Sequence, residues 1–335
     1  MWKHARCRED FFICATILIE LESRIMRFAA RVPQMGPNIS GPGVVRFAQE
    51  AERMGYDIIA VGDHIVFPER IEAAYPYGGG GPNPSVAAGN YIEPMTLLSY
   101  IAGATQSIKL LTGVLVVPYR HPVLAAKMFS CLDFLSQGRV IVGIGVGWLK
   151  EEFDVMGMRF EQRGKVTDEI LDIYRKLWTE ERPRHDGRFF QFDEVQFTPK
   201  PVQKPHPPIW VAGNTTVAMR RAVRVGQGWF PIHFNSDEFK PKLRELRALA
   251  EAAGRDPAGI EICLGTSLEF ADASVTPELQ RKLLGEGNKQ KMIDELNAFA
   301  EMGVDTVQFD FRTREVDVRL ELMERFMSEV RPHVQ

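Results

Sequence analysis

Val140-Ile-Val-Gly-Ile-Gly-Val-Gly-Trp148 is the stretch on which the fold turns. Its β-branched opening reads as a buried parallel strand, and Gly143, Gly145 and Gly147 then alternate with Ile144 and Val146. A dinucleotide-binding fingerprint, G-x-G-x-x-G, needs its third glycine where this chain carries Trp148. An open doubly wound sheet therefore lacks its phosphate signature. On both sides of the run, short apolar segments alternate with segments of helical period. Upstream, strands are expected at 28–32, 56–61 and 108–117, with helices at 42–54, 96–105 and 122–135. Downstream, strands fall at 208–212, 229–231, 260–264 (extending toward 270) and 306–311. Helices are expected there at 164–178, 216–225, through the 240s, at 289–302 and at 316–330. Eight strand–helix cycles specify an α/β fold, a (β/α)₈ TIM barrel, with insertions after strands 2, 4 and 7. The insertion after strand 4 carries an expected hairpin through 188–197.

Composition bounds the function. The 335 residues are 45% hydrophobic and 25% charged, which is ordinary globular usage. Lys+Arg 41 against Asp+Glu 44 leaves a net charge of −3, without the basic excess a nucleic-acid binder needs. Cys7, Cys14, Cys131 and Cys263 form no C-x-x-C pair, so neither a disulfide scaffold nor a zinc knuckle is expected, and a cytoplasmic location fits. The apolar run at 11–19 falls short of the roughly 20 residues that span a membrane. Residues 1–25 are expected to lie outside the fold, and a start placed too far upstream would give the same pattern. The barrel then occupies 26–333 as one unit.

Chemistry on such a barrel sits at the C-terminal ends of the strands. Strand two ends in Gly62-Asp63-His64, and His64 is the best candidate for moving a proton near neutrality. His121 and His233, beside proline and aromatic residues, are weaker. The glycine run clears one face of strand four, either for a neighbouring helix or for a planar ligand. Ala212-Gly213-Asn214 opens a helix, either as a phosphate-binding loop or as a plain turn with Asn214 or Thr215 as the N-cap. No set of three metal ligands converges.

In order, Asp63-His64, Leu111-Thr-Gly-Val114, Asp133-Phe-Leu-Ser-Gln-Gly-Arg139, Gly143-Ile-Gly-Val-Gly-Trp148 with Glu151-Glu-Phe153, Pro207-Pro-Ile-Trp-Val-Ala-Gly213 and Gly226-Gln-Gly-Trp229 resemble the bacterial-luciferase-like flavin and deazaflavin oxidoreductases. The form of the glycine run is most similar to the branch using the deazaflavin coenzyme F-420. The resemblance implies a coenzyme ring lying against a bulge at Thr112, Gly113 and Val114, with a non-prolyl cis peptide at Gly113–Val114. It places Asp63 and His64 near the ring, the coenzyme phosphate at Ala212, Gly213 and Asn214, and Gly147, Trp148 and Glu151 along the coenzyme and substrate side. Sugar-phosphate-oxidising relatives carry a glutamate where this chain has Trp148 and a tryptophan where it has Pro68. That departure argues against a sugar phosphate, and Trp148 serves either as an apolar substrate face or as a packing residue.

The activity so implied is hydride transfer between F-420 and a small organic substrate, with His64 donating or accepting the proton. Arg220, Arg221 and Arg224 stand either as partners for the polyglutamate tail of that coenzyme or as a solvated helix face. The alternative is an FMN-dependent monooxygenase served by a partner reductase. A third is a barrel that binds a flavin without catalysis. A homodimer through the early barrel helices is implied, and Tyr75 to Gly81 are expected to form a mobile lid.

Overall fold

The computed structural model describes residues 25–76, 89–271 and 283–335. In chain order the elements are β1 (Arg27–Arg31), α1 (Gly41–Met54), β2 (Ile58–Val61), α2 (Pro94–Ala102), β3 (Lys109–Thr112), β4 (Leu115–Val116), α3 (Pro122–Leu135) and β5 (Val140–Gly145). There follow α4 (Lys150–Val155), α5 (Arg163–Thr179), β6 (His185–Asp186), β7 (Gln191–Phe192), β8 (Ile209–Ala212), α6 (Thr216–Val225) and β9 (Gly228–Phe230). The chain closes with α7 (Ser236–Ala252), β10 (Glu261–Leu268), α8 (Lys289–Met302), β11 (Thr306–Phe311) and α9 (Val316–Glu329).

Parallel pairing runs β3–β2–β1–β11–β10–β9–β8–β5, and β3 pairs back onto β5, closing the barrel. Strand three of the barrel is interrupted. β3 and β4 both pair with β5, and between them lies the cis peptide Gly113–Val114 expected from the family resemblance. The antiparallel β6–β7 hairpin stands apart. It replaces the hairpin expected at 188–197, because Glu169 on α5 gathers the backbone N–H groups of Arg188, Phe189 and Phe190 into a turn there. The expected lid falls mostly at 77–81, outside the described residues, as do residues 1–24 of the N-terminal extension.

Local chemistry sets the element ends. Ser40 caps α1 by accepting from the Gly43 N–H at 3.2 Å, and Gly55 stops that helix at φ 86°. Asn235 and Glu238 form a reciprocal capping box on α7. Strand residues alternate between two cores. Phe28, Val307 and Phe309 pack outward under the helices, while Ala29, Ile58, Ala60, Leu111, Ile141, Trp210, Phe230 and Cys263 fill the lumen.

Of the glycine run, Gly147 makes room for Phe153 on α4, while Gly143 and Gly145 make room for strand three. A Cβ on Gly143 would overlap the Thr112 carbonyl oxygen, and one on Gly145 would meet Val114 Cγ2 at 2.7 Å. The bare face of β5 accommodates the bulge of strand three, and the Thr112 hydroxyl donates to the Gly143 carbonyl at 2.7 Å.

Candidate functional site at the C-terminal mouth of the barrel

Asp63 and His64 leave β2 in different directions. Asp63 is fully buried. Its Oδ2 accepts from Arg120 Nη1 at 2.6 Å and from the Val116 N–H at 2.9 Å, and its Oδ1 accepts from Arg120 Nη2 at 2.9 Å. Arg120 also reaches Glu93 Oε1 at 2.6 Å. Burial raises the Asp63 carboxyl above its ordinary pKa, against the opposing pull of Arg120. Burial also works against the Arg120 charge, but its bonds to Asp63 and Glu93 prevail and hold its pKa above the usual value. Asp63 therefore fastens β4 beneath the mouth.

His64 turns toward the mouth. Its Nδ1 lies 2.8 Å from Glu152 Oε2, and the same oxygen accepts the Tyr119 hydroxyl at 2.8 Å. The other oxygen, Glu152 Oε1, accepts the N–H of Ile65 at 2.6 Å and that of Val66 at 3.2 Å. Burial opposes ionisation of Glu152, yet these hydrogen bonds, led by that from His64, hold its carboxyl below the ordinary value. An ionised Glu152 takes the Nδ1 proton of the neutral imidazole, which makes Nε2 the acceptor. Among the described residues Nε2 has no hydrogen-bond partner.

Sequence reasoning misses Glu152 and selects the neighbouring Glu151 for the mouth. Glu151 Oε1 instead accepts the N–H groups of Glu72 at 2.7 Å and Ala73 at 2.9 Å, pinning the segment that follows β2. A signal for Glu152 is present in the chain. Leu149, Glu152 and Phe153 fall at i, i+3 and i+4 and are all fully buried, so helical spacing places Glu152 on the inward face of α4.

Aromatic rings wall this side. Trp148 is half-buried and stands edge-on to His64 at 6.2 Å and to Tyr75 at 5.1 Å. Phe67 and Tyr91 lie 4.6 and 5.7 Å from the imidazole. Trp148 is thus a wall of the mouth and not a core packing residue. Gly147, at φ 82°, leaves room for Phe153 and Val116, and its carbonyl accepts from Arg163 Nε at 3.1 Å. Gly113 and Val114 of the bulge are partly exposed at the same end.

Across the mouth, Ala212, Gly213 and Asn214 follow β8. Thr215 is the N-cap of α6, accepting from the Ala218 N–H at 3.3 Å. Asn214 is engaged elsewhere. Its amide donates to the Ile232 carbonyl at 2.9 Å and accepts the Ile232 N–H at 3.0 Å, tying the end of β8 to that of β9. The N–H groups of Thr216 and Val217 remain for an anion, since the first turn has no intrahelical acceptors for them. Two of the arginines expected as partners for a polyanionic tail are already paired. Arg221, 6% exposed, binds Asp168 Oδ1 at 2.7 Å, and Arg224 bridges Asp168 and Asp172. They join α6 to α5. His121 packs edge-on to Phe190, and the His233 N–H donates to the Gly265 carbonyl at 2.8 Å. Among the described residues no group of three His, Cys, Asp or Glu side chains is placed to hold a metal ion. No helix there is long and apolar enough to cross a membrane.

With this geometry in place, the comparisons decide the family. The family model described as luciferase-like monooxygenase matches residues 26–274. The chain belongs to that family. A curated relative of this luciferase-like chain, an uncharacterised protein of Mycobacterium tuberculosis, is 30% identical over 284 residues, covering 84% of this chain and 92% of that protein. The FMNH2-dependent dimethylsulfone monooxygenase of Pseudomonas putida is 28% identical over 268 residues, covering 75% and 67%. Among solved structures, the monooxygenase RslO1 of Streptomyces bottropensis superposes with a TM-score of 0.74 at 24% identity, over 92% of this chain and 99% of that one. An F420-dependent secondary alcohol dehydrogenase gives 0.71 at 18% identity, with the same coverage. At those identities the superpositions establish the luciferase-like barrel. The proteins it resembles thus include one named as FMNH2-dependent and one named as F420-dependent.

Proposed function

We propose that this luciferase-like oxidoreductase transfers a hydride between coenzyme F-420 and a small organic substrate, with His64 as proton donor or acceptor. The observation that carries the reading is the Nδ1 contact of His64 with buried Glu152, which leaves Nε2 to handle a proton at the mouth. The residues present suit a flat, phosphorylated coenzyme. Gly113 and Val114 offer a partly exposed backbone edge, Gly213 at φ 125° opens the loop after β8, and the first turn of α6 presents N–H groups for a phosphate. When bound, F-420 supplies the hydride. The protein's share is to hold the reactants together, wall them with Phe67, Tyr91 and Trp148, and keep His64 in one tautomer.

A second reading is favoured by a specific relative. The Pseudomonas putida monooxygenase is named as FMNH2-dependent, and the same mouth serves a reduced FMN delivered by a separate reductase. Pairing of two copies fits either reading, since α3 exposes Leu124 at 57% and Leu135 at 76%. Parallel titration of the purified protein with F-420 and with FMN, followed by coenzyme fluorescence and thermal stability, separates the two. Micromolar binding of F-420 with little response to FMN is the expected result, and the reverse preference assigns the monooxygenase.

A further inference from the structure

Side chains inside the barrel alternate, so Arg31 follows Ala29 on the lumen side of β1, while Gln308 and Asp310 occupy the lumen side of β11. The register sets Ala29 opposite Gln308, and both are buried. Arg31 Nη2 and the Tyr91 hydroxyl crowd the space that a side chain on Gly62 would need, two residues before His64. Arg31, Tyr91 and His64 therefore border one space at the mouth.

The polar groups of this corner are poorly matched within the protein. No hydrogen bond to a carboxylate or carbonyl takes up the five guanidinium donors of Arg31 among the described residues. The nearest carboxylate oxygen, Asp310 Oδ2, lies 3.8 Å from Nη1, too far for one. Gln308 is 4% exposed, and its Nε2 has no partner among the described residues. The buried Tyr91 hydroxyl has no hydrogen bond of standard geometry, and the polar group it faces is the Arg31 guanidinium. Among the described residues, further arginines neighbour Arg31, facing the single nearby carboxylate of Asp310 on β11. Arg319, 4% exposed, donates to the carbonyls of Arg31 and Thr313, and it feels Arg31 and Arg314 as well as Asp310. A part-buried guanidinium without a carboxylate in hydrogen-bond range favours an anion with two acceptor oxygens, because parallel N–H bonds to a carboxylate offset its desolvation.

We propose that Arg31, flanked by Tyr91, is the subsite for a carboxylate on the substrate, with the aromatic wall of Phe67, Tyr91 and Trp148 receiving a flat group attached to it. The assignment rests on the functional reading above for its substrate, but not for its anion chemistry. An electronegative oxygen of the coenzyme ring has similar chemistry, so the test separates the two sources.

Benzoate and its uncharged counterpart benzamide are titrated calorimetrically into the intact protein, in buffer free of phosphate and acetate. The same titrations are run on Arg31→Gln and Arg31→Lys, and each protein is also titrated with F-420 and FMN. The wild type is expected to prefer benzoate by about tenfold or more. Arg31→Gln should abolish the preference and Arg31→Lys should retain only part of it. Coenzyme affinity should change by less than about fivefold. The lysine variant, which keeps the charge, carries the test where the glutamine variant fails to fold. An absence of benzoate binding, equal binding of the two probes, or a preference that survives in both variants overturns the proposal. A larger loss of coenzyme affinity also overturns it, by giving the guanidinium to the coenzyme. Failure of the wild type to bind either coenzyme, with the benzoate preference intact, sinks the functional reading and leaves the anion subsite standing.

Discussion

Glu152 Oε2 receives the His64 imidazole and the Tyr119 hydroxyl at the same distance, 2.8 Å, so one buried oxygen joins the segment after β2 to the segment after β4. Its second oxygen binds the backbone directly after His64. The carboxylate thereby fixes both the ring and the chain that carries it. Replacing it tests whether the ring's orientation matters for turnover. Glu152→Gln should lower kcat by about 10- to 100-fold. Coenzyme dissociation constants, measured by fluorescence, should stay within about threefold.

His64 itself separates catalysis from storage. His64→Ala is expected to reduce turnover by about 10²- to 10⁴-fold while coenzyme binding persists. Unchanged turnover in this variant would remove the proton-transfer role from His64, whereas a wild type that binds a coenzyme without any turnover would favour a barrel that only binds a flavin.

The charge on Glu152 also makes stability depend on pH. Its folded-state pKa lies below the ordinary 4.5, so ionisation contributes stability that is complete above that value and is lost as pH falls through the lower folded value. Urea midpoints of wild type and Glu152→Gln should differ most near neutrality. They should converge as the pH drops below about 4.

Gly143 offers a steric test of the bulge. Gly143→Ala places a methyl group on the Thr112 carbonyl and should destabilise the protein by about 3 kcal/mol, or prevent soluble expression. At Gly259, where an added Cβ would meet no atom within 4 Å, alanine should shift stability by no more than about 1 kcal/mol. Thermal melts of the two variants suffice.

Arg221 tests the helix pair. Arg221→Gln should cost about 1 to 3 kcal/mol, since it removes charged hydrogen bonds to half-exposed Asp168. Affinity for F-420 should not change by more than about twofold. A large loss of affinity would restore this arginine to the coenzyme tail.

Much of the barrel is legible in the sequence because its signals are local. The bounds of β11, α3, α6 and α8 coincide with those read from periodicity and from glycine and proline punctuation. Strand three misleads, because Leu110 to Val117 is apolar almost throughout and the break at Gly113 depends on how two strands meet β5. Within the mouth, His64 is visible as a titratable residue after a strand. Its partner is not, since neighbouring glutamates look alike until the buried face of α4 is known. Arg221 and Arg224 look solvated because their partners, Asp168 and Asp172, lie on another helix some fifty residues away. Asn214 looks like a cap, but its bonds run to the neighbouring strand end. Contacts through space leave no spacing to read.

The adjacent carboxylates of Glu151 and Glu152 grip one excursion at two places, Ile65–Val66 and Glu72–Ala73. The chain from Ile65 to Ala73 is thereby tethered to α4 at both ends, beside His64. Sequence changes beyond Pro76 should spare the proton chemistry that this tether supports while retuning which molecules are accepted. In such an arrangement selection can diversify substrates without rebuilding the enzyme.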